Sequence, residues 1–122
     1  MKANSASAIF QVSDLRRAIE FYIGVLGFEE EFAFGDPPFY AGVKMEDVIV
    51  HLNSGEENES RKGMGSLYVF CDEVDSYYES IKKAEVEITA KLDTWPYGMR
   101  DFQIKDLDGN LLCFGCPVEQ DE

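Results

Sequence analysis

The chain repeats itself. Placing Leu15 over Val74 superimposes two strand–helix segments 59 residues apart, with Ser7 falling on Ser66 and Ser13 on Asp72. In the first copy, Ala6 to Val12 has β character and Ser13 is a good N-cap. Leu15, Ala18, Phe21, Tyr22 and Val25 then recur at helical spacing, and Gly27 closes the helix. Strands are expected around Phe28–Phe34, Phe39–Lys44 and Asp47–Asn53, with Gly35-Asp36-Pro37-Pro38 as turn chemistry between the first two. A polar loop from Ser54 to Gly63 ends this copy. The second begins with a strand over Ser66–Cys71, an N-cap at Asp72, and a helical stripe of Val74, Tyr77, Tyr78 and Ile81. Strands near Glu85–Ile88, Phe102–Lys105 and Leu111–Cys116 complete it.

Each half therefore reads strand, helix, then three strands. The expected class is α+β: two paired βαβββ modules, 6–53 and 65–117, within a single domain spanning 1–122. Their sheets would form one curved mixed surface with the helices on its outer face. Strand alternation assigns Ala8, Phe10 and Val12 to the first helix and leaves Ser7, Ile9 and Gln11 facing the concavity. In the second module Leu67, Val69 and Cys71 go to the helix, and Ser66, Tyr68 and Phe70 face inward.

At 122 residues the chain has room for one core, and 45% hydrophobic with 13% aromatic residues supplies the material. The balance of 24 acidic against 11 basic residues, a net charge of −13, argues against nucleic-acid or anionic-membrane partners. No apolar run approaches the length that spans a bilayer. Met1-Lys2-Ala3-Asn4-Ser5 lacks the apolar segment of a signal peptide, and three cysteines fit a reducing compartment. A cytoplasmic protein is expected.

Two stretches carry a resemblance. Val12-Ser13-Asp14-Leu15-Arg16-Arg17-Ala18-Ile19-Glu20-Phe21-Tyr22, continuing to Leu26-Gly27-Phe28, is the first; Pro96-Tyr97-Gly98-Met99-Arg100-Asp101-Phe102, continuing to Asp106-Leu107-Asp108-Gly109-Asn110-Leu111-Leu112, is the second. Together they resemble the signature regions of the vicinal oxygen chelate superfamily, in its glyoxalase and bleomycin-resistance branch. The resemblance implies paired βαβββ modules and a homodimer with ligand crevices. The fold hosts isomerases, dioxygenases, thiol transferases and drug sequesterers alike, so function must come from the site.

Metal-using members place His or Glu at four strand positions, which carry over here to Ser7, His51, Ser66 and Cys113. Only His51 is a good ligand for a divalent cation, so no bound metal and no other cofactor is expected. Cys113-Phe114-Gly115-Cys116 is a CxxC on a predicted strand, where residues three apart point to opposite faces and the sulfurs should not meet. Asp106-Leu107-Asp108-Gly109-Asn110 reads as a hairpin turn rather than a calcium loop. No nucleophile motif, P-loop or dinucleotide fingerprint is present.

What the sequence offers instead is aromatic. By the resemblance, Tyr40 occupies a position that stacks on drug, and Tyr97 stands where tryptophan is usual. Trp95, Phe32, Phe34 and Tyr68 are candidate additional walls, and His51 a cavity-wall group. Flat aromatics attract planar or cationic molecules through stacking and cation–π contacts. Arg100 is expected to pair with Asp101 or a nearby acid. The expected function is metal-independent binding of a planar or cationic organic ligand by a homodimer. The rival is a metal-dependent glyoxalase- or dioxygenase-type lyase or oxidoreductase.

Overall fold

The computed structural model describes residues 1–119, which divide into two compact units. The first comprises Met1–Gly65 with Leu107–Asn110; the second comprises Ser66–Asp106 and continues from Leu111.

The first unit runs β1 (Ser7–Gln11), α1 (Leu15–Gly24), β2 (Glu29–Gly35), β3 (Pro38–Met45) and β4 (Val48–Asn53). Its sheet has the order β1-β4-β3-β2, with β1 parallel to β4 and the other pairs antiparallel. Leu15, Ala18, Phe21 and Tyr22 form the buried stripe of α1 that the spacing predicts. They share the core with Ala41, Val43, Val50 and Leu52, all completely buried on one face of the sheet. Tyr22 sits edge-on to both Phe21 and Phe28, with ring centroids 5.7 and 5.6 Å apart. Gly27 takes φ +88° and Phe28 N–H returns to the Tyr22 carbonyl at 2.9 Å, which terminates α1 as the sequence indicates.

The second unit repeats the plan with β5 (Ser66–Phe70), α2 (Val74–Lys82), β6 (Glu87–Thr94), β7 (Met99–Lys105) and β8 (Leu111–Pro117). Its sheet is ordered β5-β8-β7-β6, again with the first pair parallel. Val74 and Ile81 are buried, and Tyr77 and Tyr78 pack their rings on Phe102 and Phe114 of β7 and β8. Both strands and both helices thus begin 59 residues apart, at Ser7 and Ser66 and at Leu15 and Val74.

The helix starts lie one residue later than expected. Val12 N–H still bonds to the Asn53 carbonyl and Cys71 N–H to Gly115, so each parallel ladder holds the chain extended past its strand. Asp14, not Ser13, caps α1 by accepting from Arg17 N–H at 3.1 Å. Ser13 gives its N–H and hydroxyl to Asp108 Oδ1 at 3.0 and 2.6 Å instead. Glu73, not Asp72, occupies the cap of α2, in the left-handed region at φ 48° and with no side-chain capping bond. Two further differences concern extent. The loop after β4 contains a 3₁₀ helix over Glu56–Arg61, and β6 runs six residues beyond Ile88 to Thr94. The turn Asp106–Asn110 is structural: Asp108 holds Ser13, and Asn110 bonds to Gly65 N–H and the Gln11 carbonyl.

Candidate functional site

Strand alternation leaves one face of each sheet away from its helix, and each such face carries an aromatic cluster. On the first, Phe32 of β2, Tyr40 of β3 and His51 of β4 meet. The Tyr40 hydroxyl and His51 Nδ1 are 2.9 Å apart, and the Phe32 ring stands edge-on to the imidazole at 5.3 Å. Phe32 lies nearly parallel to Tyr40, at 18° and 6.2 Å. The close packing depends on Gly42, where an added Cβ would come within 2.4 Å of the Phe32 ring. Burial raises the Tyr40 phenol above its ordinary pKa, so it stays protonated and able to donate. Phe34 lies opposite Tyr40 in the β2–β3 register, with its ring edge-on to Phe39 at 5.7 Å and 64% exposed. Beside Tyr40 opens a cavity of about 460 Å³, bounded also by Ile9, Asn53, Asn58, Arg61 and Met64.

The second unit gathers its polar aromatics on a carboxylate. Asp101 of β7 is only 3% exposed. Tyr68 donates to its Oδ2 at 2.7 Å, and Tyr97 reaches Oδ1 and Oδ2 at 3.0 and 2.9 Å. Trp95 Nε1–H donates to the Asp101 backbone carbonyl at 3.3 Å and stacks near-parallel to Tyr97, 10° between planes at 6.5 Å. Desolvation and the Asp101 carboxylate push the Tyr97 phenol up to about 12, although the ring itself is exposed. The same two causes raise the Tyr68 phenol. Burial first, then Asp101, pushes the Cys113 thiol up to about 12, so it remains protonated at neutral pH. Gly115 makes room for the cluster: a Cβ there would meet the Tyr68 hydroxyl at 2.3 Å and Asp101 Cβ at 2.6 Å.

Of the residues singled out in the sequence, Tyr40 and His51 belong to the first cluster, and Trp95, Tyr97 and Tyr68 to the second. Phe32 joins the first cluster as well, and Phe34 is the cross-strand neighbour of Tyr40 with its ring on Phe39. Asp101, Arg61 and Asn58 were missed. Asp101 follows Arg100 and reads as its ion-pair partner, but adjacent strand residues point to opposite faces. Arg100 in fact forms a two-pronged pair with Asp75 at 2.8 and 2.7 Å, supported by Thr94 Oγ1 at 3.1 Å. Its pKa is raised by that hydrogen-bonded carboxylate, and the Asp75 pKa is correspondingly lowered by Arg100.

The four positions associated with metal in the resemblance do not fit a divalent cation. Ser7 and Ser66 offer neutral hydroxyls, and the Cys113 thiol is held protonated by its surroundings. In register, Ile9 lies opposite His51 and Tyr68 opposite Cys113, so neither strand neighbour adds a ligand of the right kind. Among the described residues no group of three or more His, Cys, Asp or Glu side chains is placed to hold a metal ion.

A pair of four-stranded βαβββ units, each with a polar aromatic cluster on its open sheet face, defines a class of small two-module α+β proteins. Residues 5–114 match the model of the Glyoxalase/Bleomycin resistance protein/Dioxygenase superfamily, and the chain belongs to that superfamily. Among curated proteins none matches the sequence significantly. Solved structures share the fold. A superfamily member from Sphaerobacter thermophilus DSM 20745 is 27% identical with a TM-score of 0.78, covering 94% of this chain and 98% of its own. TnmS3, an antibiotic binding protein from Streptomyces sp. CB03234, gives 21% and 0.80, covering 96% and 98%. The bleomycin-binding protein of Streptomyces verticillus, complexed with copper(II)-bleomycin, gives 22% and 0.75, covering 98% and 99%.

Proposed function

We propose that this protein binds a planar, positively charged organic molecule at the Asp101 cluster of the second unit, without a bound metal. The observation that carries this reading is the near-parallel Trp95–Tyr97 pair tethered to a buried carboxylate. The stacked rings supply a flat electron-rich platform, and the carboxylate beneath supplies negative charge in a low-dielectric setting. Each cation–π or stacking contact contributes about 0.5–2 kcal/mol. The net charge of −13 concentrates cations at the surface. The antibiotic-binding names of two solved structures of this fold agree with a sequestering role. Within the cluster the Cys113 thiol and the Tyr68 and Tyr97 phenols are held protonated, which suits binding rather than nucleophilic attack by these groups.

The reading includes a homodimer. Phe34 and Phe70 are 64 and 71% exposed, apolar surface that a folded protein usually covers with a partner. A second chain is the simplest cover. Sedimentation should therefore find a particle of twice the 13.8 kDa chain mass.

Trp95 is the sole tryptophan, so its fluorescence reports the site directly. Titration with acridine orange should quench it saturably, and Tyr97→Ala should weaken binding about tenfold. Stronger quenching by anionic anilinonaphthalene sulfonate, or an unchanged Tyr97→Ala titration, would refute the proposal.

A further inference from the structure

The cavity of about 460 Å³ in the first unit is built for the opposite charge. None of the side chains bounding it is acidic, on a chain with 24 acidic residues. Its one charged wall is Arg61, at the end of the 3₁₀ helix Glu56–Arg61. Among the described residues Arg61 makes no ion pair, which it shares with five of the other ten basic side chains. Two asparagines flank it. Asn53 accepts from Gly55 N–H through Oδ1 at 2.9 Å, which leaves its NH₂ as the donor end. Gln11 is fixed by its own bond to the Gly55 carbonyl at 2.8 Å and serves as a wall. Ile9 and Met64, both largely exposed, supply the apolar part of its lining.

We propose that this cavity is a second binding site, one that takes a small organic carboxylate. The guanidinium fork matches a carboxylate bidentately, and amide N–H donors complete the oxygens' hydrogen bonds. The apolar body of the ligand rests on Ile9 and Met64. The volume lies within the range of small-molecule pockets. This inference goes beyond the cationic-ligand reading, since it concerns different residues in the other unit and stands if that reading fails.

Benzoate, benzamide and benzylamine differ in charge while sharing one ring, and so serve as probes. In amide correlation NMR spectra of the intact protein, benzoate should shift Gly65 N–H and the Asn53 and Asn58 side-chain NH₂ signals saturably. Benzamide should bind more weakly and benzylamine not at all. Arg61→Gln, a change on an exposed residue, should weaken benzoate about tenfold or more, while Arg61→Lys recovers part of the loss. Tyr97→Ala should leave the benzoate titration unchanged and Trp95 fluorescence should not respond to benzoate, which separates this site from the one in the second unit. The proposal is overturned if benzoate leaves those signals unmoved to about 10 mM, a limit near −3 kcal/mol. Equal binding by Arg61→Gln, equal binding of benzylamine, or loss of benzoate binding in Tyr97→Ala would overturn it as well.

Discussion

Tyr97 shares its phenolic hydrogen between both carboxylate oxygens of Asp101, at 3.0 and 2.9 Å, although its ring is 65% exposed and Asp101 is 3% exposed. The pair ties a solvent-facing platform to the interior of its sheet. Burial first, and then the carboxylate that accepts from Tyr97 and Tyr68, hold three acidic protons in this cluster, two phenols and the Cys113 thiol, more tightly than usual.

Asp101→Asn tests that tie. An amide puts N–H donors against phenols that need acceptors, so the variant should lose about 1–3 kcal/mol of stability. Urea denaturation followed by Trp95 fluorescence measures it. A variant as stable as the parent would mean the carboxylate contributes nothing net.

The raised pKa values set a pH dependence. Tyr97 rises from 10.0 to about 12 and Cys113 from 9.0 to about 12. The native state therefore keeps protons that the unfolded chain releases at lower pH. Stability from these groups is fully present below pH 9, falls as pH climbs from 9 toward 12, and is lost above that. Denaturation midpoints measured across the alkaline range should fall monotonically; a rise would contradict the assignment.

Cys113 should alkylate slowly at neutral pH, because iodoacetamide attacks the thiolate. Asp101→Asn removes the charge that opposes thiolate formation, so alkylation of Cys113, followed by peptide mass mapping, should accelerate. Equal rates in both proteins would assign the slow reaction to burial alone.

Gly115→Ala should act on the cluster sterically. The new methyl meets Asp101 Cβ at 2.6 Å, a clash with an atom that cannot swing away. Overpacking of this kind costs about 1–3 kcal/mol. The variant should also bind acridine orange less well, measured by Trp95 quenching, because Tyr68 and Asp101 must move.

Phe102→Ala and Phe70→Ala should separate core from surface. Phe102 is completely buried and touches Tyr77, Tyr78 and Phe114, so its loss should cost about 3–5 kcal/mol. Phe70 is 71% exposed, and its removal should change the stability of the isolated chain by about 0.5 kcal/mol or less. Sedimentation of the Phe70 variant would show whether that ring helps hold two chains together.

Much of the fold was legible because it rests on short-range pattern. The repeat at 59 residues located both helices and both parallel strands, and the stripes Leu15-Ala18-Phe21-Tyr22 and Val74-Ile81 are the faces that are buried. Alternation also separated Phe10 and Val69, which are buried, from Ile9, Tyr68 and Phe70, which are exposed. The extension of β6 was available in the same way, since Ile88, Ala90 and Leu92 alternate with polar residues through Thr94, but the polar members obscured it.

Pairing was the part that only the tertiary structure decided. Hydrogen-bond partners in a sheet come from strands distant in sequence, so local pattern cannot say that Ser13 would be claimed by Asp108 or that Asp14 would take over the cap. It likewise could not tell Arg100 to choose Asp75, 25 residues away, and leave Asp101 on the opposite face for Tyr68 and Tyr97. The sequence by itself determined which residue types this protein had to work with: aromatics and carboxylates in abundance, and one histidine. Which of them meet was settled by strand register, because a side chain's face and neighbour follow from a pairing that is fixed only when the whole sheet forms.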